Sequence, residues 1–298
     1  MKFKDKQLQR WSLAVMLTVL TFACANRSEV AAADDQNRNV EVRSVEGDQS
    51  TTELEKLLSS ANWQAVNEAK RLGKPALAVI RRFAKDQNFT IRQISMSCVE
   101  AIGDTDGSDI LITGLSDENT NVRLAAAKAL SARQYPAAAD AILKTINDTS
   151  DEVLRELLVK AAGFYPGSET VTTLMRFVSG DSSLANTAVL ALAKIGNETG
   201  RKLLLERLSA SLPRTRYEAL EGLCYVDDKR FVEQAKKLLS DKAVGLRIGS
   251  ARNPKYRKVA DQAVDALVCL LKLSPGFEIS SERIYTDGEI ASVRSKAR

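Results

Sequence analysis

The chain has no histidine. That removes the side chain that titrates closest to neutral pH and the commonest transition-metal ligand. Other chemical signatures are missing as well. There is no G-x-S-x-G elbow, no glycine-rich phosphate loop and no cluster of metal ligands, so no catalytic residue, metal or cofactor is assigned. Aromatic residues make up 5% of the 298 residues, and the four cysteines thin to three beyond residue 25: Cys98, Cys224 and Cys269. Each of the three sits in an apolar helical pattern, such as Ser97-Cys98-Val99 or Val268-Cys269-Leu270. An odd number in a large chain argues against a disulfide framework and for small core hydrophobes.

The chain also lacks a hydrophobic run long enough for a comfortable membrane span, which takes about 20 residues. Its uncharged stretch runs only from Trp11 to Ala25, behind Lys2, Lys4, Lys6 and Arg10. A basic start, a short apolar segment and small residues at Ala23 and Ala25 form the pattern of an export signal over 1–25. Ala31-Ala32-Ala33 offers a second cleavage point, and an uncleaved signal anchor is the alternative. Cys24 is a candidate lipidation site, with Ala23 before it but Thr21 and Phe22 where a bacterial lipobox takes an aliphatic and a small residue. Taking 1–25 away leaves 39 basic against 37 acidic residues, a net of +2 in place of +5. A near-neutral surface gives no reason to expect nucleic-acid binding. Residues 26–50 are polar and charge-mixed, the composition of a tether that cannot bury enough apolar surface to order itself.

What the chain does have is a repeat. From Thr51 the apolar period is helical and strand-like alternation is absent. Leu115, Ile146, Phe177, Leu208 and Leu239 each precede a turn at steps of 31 residues. Cys98-Val99 and Ala129-Leu130 share that step, as do Ala191-Leu192 and Gly222-Leu223. Two positions with one period predict stacked helix pairs. The first helices are expected near 75–86, 106–116, 137–148, 168–179, 198–210 and 228–240. The second are expected near 89–102, 119–133, 151–164, 182–195, 213–225 and 254–273, with a further hairpin near 52–72. The expected fold is all-α, a right-handed α-solenoid of about seven helical hairpins over 51–273, with 274–298 as a C-terminal cap. Alanine-rich second helices such as Arg123–Leu130 permit close helix approach.

The segment Leu115–Leu130 resembles a HEAT-like repeat, in particular the subtype first associated with phycobilisome lyases. That subtype tends to place an Asp at the turn and an Arg six residues later. The chain shows the pair as Asp86/Arg92, Asp117/Arg123 and Asp241/Arg247, with Arg216 lacking its Asp, Arg155 displaced and Ala185 in the arginine place. The resemblance implies an armadillo-type superhelix and a structural ladder in which each Arg bonds the turn Asp and nearby carbonyls. It specifies architecture and hardly specifies function.

Three features are candidates for function. Tyr135, Tyr165 and Tyr225 recur at steps of 30 and 60 and would form a row along one rim, available to a partner or packed under each turn. The interval 242–258 adds ten residues to the period, carries Lys242, Arg247, Arg252, Lys255, Arg257 and Lys258 without an acid, and reads as a loop from Gly245, Gly249 and Pro254. Asp104, Asp106 and Asp109 resemble a calcium loop only superficially, since Leu115 stands where the twelfth-place Glu belongs. The expected function is a non-catalytic protein-binding scaffold, monomeric, in the periplasm or on the cell envelope. The alternatives are a membrane-surface or polyanion binder acting through 242–258 and a HEAT-like lyase-type enzyme. A DNA glycosylase of this architecture needs a cationic stripe, and Ser97, Lys128, Val159, Leu190 and Glu221 do not form one.

Overall fold

The computed structural model describes residues 51–180 and 182–297. The expected export signal, the expected tether and the candidate lipidation site Cys24 lie outside them. Seven helical hairpins follow one another. The first is α1 (51–59) with α2 (Gln64–Leu72), then α3 (Leu77–Phe83) with α4 (Phe89–Ile102), and α5 (Ser108–Leu115) with α6 (Thr120–Ala132). Next come α7 (Ala139–Asp148) with α8 (Glu152–Ala162), and α9 (Ser168–Met175) with α10 (Ser183–Lys194). In the sixth, α11 (Glu198–Leu208) meets α12 (Pro213–Glu221), which breaks at Gly222 into the short α13 (Leu223–Val226). The last is α14 (Val232–Leu238) with α15 (Val259–Leu271), and α16 (Asp287–Lys296) packs on α15.

Local chemistry sets these boundaries. The second helices α4, α6, α8 and α10 open with Asn88, Asn119, Asp151 and Ser182, whose side-chain oxygens accept from the first free amides. The sixth unit instead starts α12 with Pro213 in the first turn, where no amide is needed. The period-setting residues Leu115, Ile146, Leu208 and Leu239 are buried, as are Val99, Leu130, Leu192 and Leu223. Second helices pack along their length through Ala126, Ala127, Ala129, Ala161, Ala162, Ala188 and Ala191, all fully enclosed. First helices α5, α7 and α9 touch one another far less, so the stack bends with the second helices inside.

The arginine ladder has a different register from the expected one. Arg92 donates through Nη1 to the Asp86 and Gln87 carbonyls of its own turn, at 2.8 and 3.1 Å. Its carboxylate partner is Asp117 of the next unit, held by two bonds of 2.7 and 2.9 Å with both side chains about nine-tenths buried. Arg216 repeats the pattern, bonding the Ala210 and Ser211 carbonyls and Asp241, 25 residues ahead. Thus Asp241 serves Arg216 rather than Arg247, which stands exposed. Arg123 keeps the carbonyl half of the arrangement, at Asp117 and Glu118, and adds Thr120 Oγ1. Asp86 spends its carboxylate on the Asn88 amide. In the Asp104–Asp109 turn, Asp104 caps the Asp106 amide, while Lys74 pairs with Asp106 and Arg81 with Asp109.

Two expectations are corrected. The interval 242–258 is not a loop but an antiparallel hairpin, β1 (Val244–Ser250) and β2 (Asn253–Lys258), joined by Ala251-Arg252. Its second strand occupies the place given to the start of the last helix, which begins only at Val259. Pro254 is tolerated because a strand in a two-stranded ribbon has a free edge. Cys224 and Cys269 are not separate core residues: they form a disulfide between α13 and α15, with Cα atoms 5.7 Å apart. Cys98 is free and buried, and burial pushes its thiol up to about 12. No helix among the described residues is long and apolar enough to cross a membrane.

Two measurements test these ties. Arg92 holds the Asp117 carboxyl below the usual carboxylate range, so its stabilisation is present above that range and lost as pH falls through the lowered value. Asp117→Asn is expected to cost about 2 kcal/mol at neutral pH and to flatten the loss of stability in acid melts below about pH 4. Cys224→Ser is expected to lower stability by about 4 kcal/mol, given the 45-residue separation of the bridge. A urea midpoint indifferent to dithiothreitol would show that the two thiols are unbonded in solution.

Candidate functional site

The tyrosine row is used internally. Tyr135 is fully buried and Tyr165 nearly so. Tyr165 Oη accepts the Tyr135 amide at 2.9 Å and donates to the Tyr135 carbonyl at 2.8 Å, clasping two units. Burial raises the Tyr165 phenol, and it pushes that of Tyr135, whose Oη has no partner, up to about 12. Neither side chain is presented to a partner.

Tyr225 behaves differently. It leaves α13, crosses α10 and donates its hydroxyl to the Lys160 carbonyl on α8, 65 residues back and two hairpins away. The passage needs Gly163, where a Cβ would meet Tyr225 Oη and the Ala191 backbone. The half-buried ring gathers a cluster on the inner face. Phe164 meets it edge-on at 5.9 Å, Lys160 Nζ lies 5.7 Å from its centroid, and Lys194 Nζ lies 4.8 Å away while donating to the Tyr225 carbonyl at 2.7 Å. Burial holds both ammonium groups below the ordinary lysine range, opposed by Glu221 and Glu156 at Lys160 and by Asp227 at Lys194. Among the described residues, no carboxylate stands within ion-pair distance of Lys160. Glu221 is open to solvent, yet its crowded surroundings, with Glu218 adding to them, raise its carboxyl. Glu156 accepts from Ser183 and Thr187 across the groove.

The basic interval divides into an inside and an outside. Arg257 is not available to a partner: its side chain is fully buried. It donates to Asp265 at 2.7 Å, Tyr217 Oη at 2.8 Å, Gln262 at 3.1 Å and the Ser281 and Arg283 carbonyls at 2.8 and 2.9 Å. Tyr285 adds its hydroxyl to Asp265 at 2.6 Å and its amide to Asp261 at 2.9 Å, while the Lys258 amide takes the other Asp261 oxygen. Two carboxylates one turn apart on α15 thereby hold the hairpin and the C-terminal segment, with Phe277, Ile279 and Val293 packed around them. Gly245 lies flat on the Tyr217 ring, leaving no space for a Cβ. Arg247, Arg252 and Lys255 are exposed and Lys258 is half-exposed.

Residues 77–163 match the model of the HEAT-repeat family. Over these residues the sequence is similar to HEAT repeats. Among solved structures, these HEAT-like repeats are similar to the complex of CpcE and CpcF of phycocyanin lyase from Nostoc sp. PCC7120, at 14% identity and a TM-score of 0.50, covering 93% of this chain and 100% of that one. They are also similar to the archaeal HEAT-like repeats protein from Thermococcus onnurineus NA1, at 18% identity and a TM-score of 0.41, covering 74% and 97%. At this identity the likeness shows the fold alone. No curated protein matches the chain by sequence.

Sequence reasoning found Tyr225 but missed Lys160, Lys194 and Phe164. A signal was there: lone lysines in Leu158-Val159-Lys160-Ala161 and Ala191-Leu192-Ala193-Lys194, each inside an otherwise apolar second-helix run. Gly163→Ala is expected to destabilise the HEAT-like stack by about 2 kcal/mol through overpacking. Adding Tyr225→Phe, which removes the colliding oxygen, should recover part of that loss in paired urea melts. Additive losses would show that the two residues do not meet.

Proposed function

We propose that the chain is a non-catalytic scaffold of an exported compartment that binds a protein partner across the inner face of its second helices. The observation that carries this reading is Lys160. Its ammonium is drawn into the groove, set over the Tyr225 ring and left without a carboxylate. Desolvating a cation without pairing it costs free energy in the unbound protein, and an incoming acceptor recovers it through a charge-assisted bond. Rigid Tyr225 and Phe164 supply anchoring area at small entropy cost. Glu221 and Glu156 act on Lys160 from nearby and would repel a phosphate chain. The mixed signs favour a polypeptide offering both acceptors and donors, because complementary charge confers specificity more than raw affinity. The Cys224–Cys269 bridge supports an oxidising compartment, where disulfides persist, and the composition of 1–25 supports export to one.

Lys160→Met keeps the length of the side chain and removes the charge. It is expected to abolish capture of the partner from an envelope extract, with a melting temperature unchanged or raised because the stranded charge is gone. Capture of the same proteins by wild type and variant would reject the inner face as the binding surface.

A further inference from the structure

The hairpin β1–β2 is an insertion in a stack that is otherwise periodic, and among the described residues nothing covers its outward face. The register settles which residues share that face. Arg247 stands directly opposite Tyr256, and Val244 stands opposite Lys258. They alternate with Arg257, which points into the protein, so they lie on the side turned away from α12 and α15. Val244 is 52% and Tyr256 49% exposed, values that are high for a valine and a tyrosine on an ordered strand. Lys242 and Arg252 flank this ribbon, Lys255 pairs with Ile248 on its other side, and no acidic residue occurs between Asp241 and Asp261. Among the described residues, no carboxylate pairs with Lys242, Arg247, Arg252, Lys255 or Lys258.

We propose that this face docks on an anionic lipid surface, with Val244 and Tyr256 at the headgroup boundary and the surrounding cations held to the lipid charge. Charge complementarity chooses the class of partner, and the freedom of the cations chooses the lipid. A folded acidic partner rewards donors held in one geometry, as Asp117 and Asp265 hold Arg92 and Arg257 elsewhere in this chain. Among the described residues, no carboxylate holds these five cations. Long unpaired side chains suit a fluid, laterally uniform charge that acts over a Debye length of about 8–10 Å. Tyrosine beside an aliphatic residue suits the boundary between headgroup and hydrocarbon. The ribbon is also firmly mounted: Arg257, Asp261 and Asp265 fix its base, so a load on the face is carried into α15. This inference stands apart from the inner-face reading, which involves other residues on another surface.

Flotation of the full chain with vesicles tests it. Binding is expected to phosphatidylcholine vesicles containing phosphatidylglycerol, not to phosphatidylcholine alone, and to weaken as salt is raised. Arg247→Glu with Lys258→Glu should weaken it on the order of twentyfold or more, taking each cation near an anionic surface at about fivefold. Tyr256→Ser should weaken it severalfold at every salt concentration, with circular dichroism showing an intact fold. Equal flotation of wild type and the double variant overturns the proposal. So does binding of polyglutamate, but not of anionic vesicles, through the same residues, which would assign the face to an acidic protein.

Discussion

Small side chains on the second helices let seven helix pairs share one interior. A leucine at Ala126, Ala161 or Ala191 would hold neighbouring axes apart and leave the large residues around them, such as Ile94, Leu130 and Leu158, facing a gap. The short distance between second helices also decides the curvature, because the first helices, with bulkier faces and looser mutual contact, take the outer arc. From that curvature comes an inner groove onto which lysines and glutamates of successive units face without pairing at Lys160. The electrostatics of the groove is thus a consequence of alanine packing.

Polar bonds then fix what apolar packing leaves free, which is the rotation of one unit over the next. Arg92 and Arg216 each close the end of a turn with Nη1 and reach a carboxylate one unit ahead with the remaining donors. A planar fork suits this task and a lysine ammonium does not. Tyr165 performs the same task with a single hydroxyl, and Tyr225 spans two units. Where the regular repeat ends, the type of tie changes. The Cys224–Cys269 bridge and the Arg257–Asp265 pair take over between α13, α15, the hairpin and the C-terminal segment.

The repeating part of this architecture was legible because it is written in local, periodic signals. The 31-residue step, the cap residues before each second helix and the alanine runs all act within one hairpin or between adjacent ones. What was misread depends on distance. The disulfide joins residues 45 apart in sequence, and neither flank distinguishes a bonded cysteine from a buried one. The hairpin reads as a loop in the sequence because its two glycines and one proline outweigh a short alternation of Val244, Leu246 and Ile248. The ladder's register was misread for a related reason. Asp and Arg six apart look like a pair, but the arginine's own turn offers carbonyls, and the free carboxylate lies 25 residues ahead.

Arg257 and Lys160 show how burial reassigns residues that look alike in a sequence. Both are basic and neither is flagged by its neighbours in the sequence, yet one is a structural pin and the other a stranded charge. Arg257 has a carboxylate, a phenol, an amide and two carbonyls around it, so its desolvation is offset in the isolated protein. Lys160 has an aromatic face and two glutamates too distant to bond, so its desolvation is not. A protein selected only for stability would lose such a lysine, since a methionine or leucine of similar length would fill the groove without the electrostatic cost. Its position in the inner groove, over a tyrosine that reaches two units to be there, is economical only if something outside the chain completes the site.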